Sequence, residues 1–116
     1  MTVSTTDIAN RALTRLGIKT FDNAVDAGIY EQITTSLTDL YEELYAVGTI
    51  DWQLNSIPAA AVGSFVNELC WYVRDDFAIP EAKKASLQVA QRTARGQLET
   101  ITETPDDGEP TESDSF

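Results

Sequence analysis

Histidine is absent from this chain of 116 residues, and cysteine and methionine occur once each. The missing imidazole removes the commonest general base and metal ligand. It also removes any Ser–His–Asp or Cys–His arrangement. A lone cysteine closes no intrachain disulfide and builds no thiolate metal cluster. Cys70 sits in the apolar run Leu69-Cys70-Trp71, so it reads as a buried, inert thiol. Basic residues are scarce: 8 Lys and Arg against 19 Asp and Glu, for a net charge of −11. Duplex binding by counterion release needs clustered bases, and an acidic surface repels DNA and anionic lipid. The six glycines stand singly, so no phosphate loop is present. No apolar stretch approaches the roughly 20 residues of a membrane span. The polar start, Met1 to Asn10, does not read as a secretory leader, and cytoplasmic synthesis is expected. Glu42-Glu43 and Asp75-Asp76 are adjacent pairs, which point about 100° apart on a helix and make poor acid–base couples. Asp106-Asp107 lacks the turn glycine and closing glutamate of a calcium loop. Neither an enzyme nor a cofactor or metal is expected.

Apolar residues make up 42% of the chain, too many for a disordered polypeptide. The length suits one domain, 1–103, and a tail. A domain this small buries only about 60–65% of its unfolded surface, so association with other copies would add stability. The periodicity predicts an all-α bundle of four helices. The first spans about 5–16, with Ile8, Ala9, Ala12, Leu13 and Leu16 on one face. Ser4 or Thr5 can cap it, and Gly17 suits a left-handed stop with Ile18 reaching back to Leu13. The second spans about 27–47 behind Asp26, with Tyr30, Ile33, Leu37, Leu40, Leu44 and Val47 at alternating spacings of three and four. Gly48 ends it. An irregular connection to Ile57 carries Trp52 and Leu54 as apolar anchors. The third helix spans about 58–78, begins at Pro58 and buries a broad face from Val62 to Phe77. Ile79-Pro80 breaks it. The fourth spans about 80–102, with Leu87, Ala90, Ala94, Leu98 and Ile101 on one face.

Charge is unevenly placed. Residues 1–21 carry +2, residues 22–76 carry −9, residues 77–103 carry +1 and the tail carries −5. Arg11, Arg15 and Lys19 form a basic stripe on the first helix. Lys83, Lys84, Arg92 and Arg95 lie on the fourth. Glu31, Asp39, Glu42 and Glu43 decorate the second. These basic and acidic residues are candidates for a subunit interface. The tail, 104–116, opens with Thr104 and holds the acids Asp106, Asp107, Glu109, Glu112 and Asp114. Pro105, Gly108 and Pro110 break any helix, Thr111, Ser113 and Ser115 are polar, and Phe116 ends the sequence. Such a segment builds no core. It reads as an acidic arm that, extended at about 3.3 Å per residue, reaches roughly 43 Å.

Three stretches carry a family likeness: DIANRALTRLGI (7–18), YEELYAVGTIDWQLNSIP (41–58) and VGSFVNELCWYVRDDFAIPEAKKASLQVAQRTARGQLETI (62–101). Together they resemble the small helical head–tail adaptors, or head-completion and packaged-DNA stabilisation proteins, of tailed bacteriophages. Ala12, Leu13, Leu16 and Gly17 match the opening, Trp52 the loop and Ile79-Pro80 the break before an alanine-rich last helix. Trp52 is followed by Gln53-Leu54, where members often carry an aromatic. The resemblance implies a structural virion protein made in the host cytoplasm and placed at the head–tail junction. It implies a ring, usually dodecameric, beneath the portal, with the arm reaching onto the portal protein. The other face would receive the next tail component (nozzle, stopper or tail hub). Double-stranded DNA would pass through the lumen without specific binding, and no membrane is involved.

A different class of function accounts for the same acidity. An acidic DNA mimic or regulatory interaction protein would occupy a basic site on a nuclease or repressor. It predicts one-to-one binding and no ring.

Overall fold

In a computed structural model, residues 4–19 and 25–103 are described. The chain forms four helices in the order α1 (Thr5–Arg15), α2 (Ala27–Ala46), α3 (Ala59–Tyr72) and α4 (Glu81–Glu103). The predicted turn between the first two helices falls largely on residues 20–24, outside the described residues.

Helix ends follow the local chemistry. The Ser4 hydroxyl accepts from the Asp7 amide at 3.2 Å, and an Asp26 carboxylate oxygen accepts from the Gly28 amide at 2.7 Å. Each satisfies one of the first-turn donors a helix leaves free. Gly17 and Gly48 both stand at φ +83°, a left-handed conformation that costs a residue with a Cβ. Around Gly17 the Ile18 amide donates to Leu13 and the Gly17 amide to Thr14. Around Gly48 the Thr49 amide donates to Leu44 and the Gly48 amide to Tyr45. Both are complete Schellman stops. The ammonium of Lys83 donates to the Arg15 carbonyl at 3.0 Å, so a cation from α4 closes the negative end of α1.

The core follows the predicted faces. Ile8, Ala9, Ala12, Leu13 and Leu16 of the first face are buried, as are Ile33, Leu37, Leu40 and Leu44 of α2. Leu87, Ala94 and Leu98 bury the face of α4. The central element is α3, which touches each of the other helices, while α1 also meets α2. Phe65, Leu69, Cys70 and Val73 have no exposed surface. Apolar burial at about 25 cal/mol per Å² is the main force holding such a bundle.

Two expectations need correction. The third helix stops at Tyr72, not 78, because its hydrogen bonding tightens: Arg74 donates to Trp71 and Asp76 to Val73. Asp75 and Asp76 would also sit unfavourably at the negative end of a longer helix. Val47 does not complete the apolar stripe of α2. It caps the helix at φ −91°, ψ 1° and is 73% exposed. Val89 of α4 is 65% exposed and lies off that helix's buried face.

Gly96, mid-helix in α4, has no atom within 4 Å of the place a Cβ would occupy. Gly96→Ala is therefore expected to raise the unfolding free energy by about 1 kcal/mol in urea titration.

Candidate functional site

The Trp52 anchor is held by aromatic contacts and one hydrogen bond. Its ring meets Phe65 edge-on at 5.5 Å and lies tilted against Tyr41 at 5.9 Å. The Tyr41 hydroxyl donates to the Trp52 carbonyl at 2.8 Å. Burial is the largest cause that pushes this hydroxyl above its ordinary range, and neighbouring Tyr45 adds to it. The Trp52 indole N–H is buried and has no acceptor among the described residues. Thr102 of α4 donates to the Thr49 carbonyl at 2.7 Å. The connection between α2 and α3 is thus pinned at both its centre and its start.

The distribution of cations decides which surfaces remain available. Arg95 was expected on an exposed face opposite a neighbour's acid, yet its guanidinium is committed inward. Two of its nitrogens donate to the two oxygens of Glu68, at 2.6 and 3.1 Å. Gln91 donates to the same carboxylate at 3.3 Å. Glu68 is 2% exposed, and this fork geometry with an added amide is what a buried carboxylate requires. Lys84 bonds Asp75 at 3.2 Å and Glu81 at 3.4 Å. The Asp75 hydrogen bond, the larger influence, pushes its ammonium up. Arg74 lies 3.7 Å over the Trp71 ring and donates to the Trp71 carbonyl. Lys83 and Lys84, like Arg95, are engaged within the fold.

Arg11, Arg15 and Arg92 are exposed and Lys19 is half-buried. Among the described residues none of the four forms an ion pair with an acid. Arg11 and Arg15 stand one turn apart and line a groove of about 530 Å³ between α1 and α3. Gly63, Val66 and Asn67 form its other wall, and no acid lines it. On α2, Glu31, Asp39, Glu42 and Glu43 are exposed. Glu43 accepts a hydrogen bond from the Tyr72 hydroxyl at 2.9 Å, and that bond is the chief cause raising the tyrosine. Tyr45, 45% exposed, shares this end of α2. The domain thus sets an uncommitted basic edge at α1 and an acidic surface at α2. The arm, 104–116, lies outside the described residues.

Cys70 is fully buried, and its thiol faces the Ala12 carbonyl at 3.7 Å. Loss of solvation pushes it from an ordinary 9.0 up to about 12, against a smaller opposite pull from Arg15 and Lys83. The unfolded chain therefore releases this proton at a lower pH than the folded one. Stability contributed here is intact below about pH 9 and falls as pH rises toward 12, by up to about 1.4 kcal/mol per unit. Tyr41 and Tyr72, both raised, act in the same direction at the alkaline end. Urea midpoints are expected to drop between about pH 8.5 and 10.5, and less so in Cys70→Ala.

Among the described residues no group of three or more His, Cys, Asp or Glu is placed to hold a metal ion. No described helix is long and apolar enough to cross a membrane. Glu68 escaped the sequence reading, although it is the only charged residue of α3. A single charge in an otherwise uncharged helix at the centre of a bundle requires a partner, and that was the available signal. Comparison with protein-family models, with curated proteins and with solved structures found no match.

Proposed function

We propose that this chain is a structural adaptor of a tailed-phage virion, placed between the portal and the tail, where copies close into a ring. The reading rests on the sequence resemblance. The observation that carries it furthest is the division of charge on one small helical domain. Among the described residues Arg11 and Arg15 form no ion pair with an acid, while Glu31, Asp39 and Glu42 stand exposed on another helix. A surface whose complement lies elsewhere on the same molecule associates head to tail, and such contacts generate rings when the rotation closes. Lys19 follows the helix of Arg11 and Arg15, and Arg92 stands exposed on α4, whereas Arg95 is withdrawn from the surface charges by Glu68.

Residues 1–103 carry 8 bases and 14 acids, or −6. Twelve copies would carry roughly −72, and acidic lumen walls let a duplex slide without adhering. The arm would engage the portal protein. Several arms on one ring bind by avidity even where each contact is weak. The opposite face would receive the next tail component.

Electron microscopy of the protein mixed with its cognate portal tests the proposal. A ring of added density beneath the portal is expected. Removal of 104–116 is expected to leave a helical domain that no longer binds. Reversal of Arg11, Arg15 and Lys19 to glutamate is expected to prevent ring closure. Full binding by the truncated chain would refute the role of the arm, and normal rings from the reversed chain would refute the interface. Tight one-to-one binding to a DNA-binding protein, with no affinity for any portal, would establish the DNA-mimic reading instead.

A further inference from the structure

The α1/α3 groove is not isolated. A second groove, of about 550 Å³, runs between α3 and α4 and is lined by Ala60, Thr93, Gly96, Gln97, Thr100 and Ile101. Ala60 lines this one and Gly63 lines the first. They are three residues apart on α3, both exposed, and residues at that spacing share a helix face. Neither carries a side chain larger than a methyl group. The low strip of α3 between the two grooves offers a trough-like path from one to the other. It starts beside Ile101, in the last turn of α4, and ends at Arg11 and Arg15.

Two further facts identify its occupant. No acid lines either groove, in a chain with 19 acids and 8 bases. The segment that follows α4 has five acids and no base, and α4 ends at Glu103, two residues beyond Ile101 of the second groove. Gly63 lies about one helical turn, or roughly 5 Å, along α3 from Ala60, and crossing a helix adds about 10 Å. Thirteen residues extend to roughly 43 Å, ample for the path.

We propose that residues 104–116 lie back along this trough in the free protein, with their carboxylates on Arg11 and Arg15 of the same chain. The acidic arm then covers the one basic edge that another copy's α2 would need. Its removal by a partner uncovers that edge, so capture of the arm and association of subunits become linked. The seat itself is independent of the virion assignment, whereas its use as a release for assembly rests on that reading. Linkage of this kind is reciprocal: whatever stabilises the ring also favours the released arm.

The test uses the full-length isolated protein, with no portal present. In ¹⁵N-labelled chain, the amides of Arg11, Thr14, Arg15, Gly63 and Asn67 are compared with those of a neutral-arm variant. That variant is Asp106→Asn, Asp107→Asn, Glu109→Gln, Glu112→Gln and Asp114→Asn, all beyond the helical core. We expect shifts confined to the trough and independent of dilution. Added salt should move the wild-type spectrum toward the variant, because screening weakens exposed charge contacts. Identical spectra would overturn the proposal. Shifts that vanish on dilution would also overturn it, since they would place another copy's arm in the groove. Either failure leaves portal binding to be judged separately by microscopy.

Discussion

Phe65→Ala is expected to lower the unfolding free energy by about 3–5 kcal/mol, the range for loss of a buried aromatic. Phe65 has no exposed surface and lies on the helix that touches all the others. Its ring also meets Trp52 edge-on, a contact that adds about 0.5–1.5 kcal/mol beyond area. The variant thus opens a cavity and frees the connection between α2 and α3 together. Phe65→Leu keeps most of the volume and should cost less than about 1.5 kcal/mol. Urea titration followed by circular dichroism distinguishes the two. Equal losses in both variants would show that volume matters less here than the aromatic contact.

Arg95→Met should cost about 2–3 kcal/mol. Removing one partner of a fully buried pair costs about 3–5 kcal/mol, because the other charge is left without compensation. Arg95 has 39% of its side chain exposed, which lets water reach the vacated place and moves the expectation below that range. The Glu68→Leu, Arg95→Met double variant should recover most of the loss, since an apolar pair avoids desolvation. A double-mutant cycle is the measurement. If the double variant is no more stable than Arg95→Met alone, Glu68 contributes by packing, not by charge.

The helices and their ends were legible because they depend on near neighbours. The stripe from Ile33 to Leu44, the glycines at 17 and 48 and the cap at Asp26 are each set within a few residues. Pairings across the bundle were not. Glu68 and Arg95 lie 27 residues apart, and nothing in the spacing of either points to the other. Arg95 thus read as one more solvated cation on an amphipathic helix. The third helix was read too long because Val73 and Phe77 continue its apolar period, although the backbone already turns. The same limit applied to the site. Arg11 and Arg15 were visible as a stripe, but their isolation from acids among the described residues emerged only once Lys83, Lys84 and Arg95 had found partners. The trough depends on Ala60 and Gly63, residues remarkable in sequence only for being small.

The two tryptophans occupy contrasting surroundings. Trp52 is 8% exposed among Phe65 and Tyr41, while Trp71 lies half-buried beneath the Arg74 guanidinium at the α3 terminus. The molecule therefore carries two intrinsic optical probes that need no label. Emission from Trp52 should follow melting of the interior, and emission from Trp71 should respond to events at the surface. With Trp71 replaced by phenylalanine, fluorescence becomes a single-site record of the bundle centre.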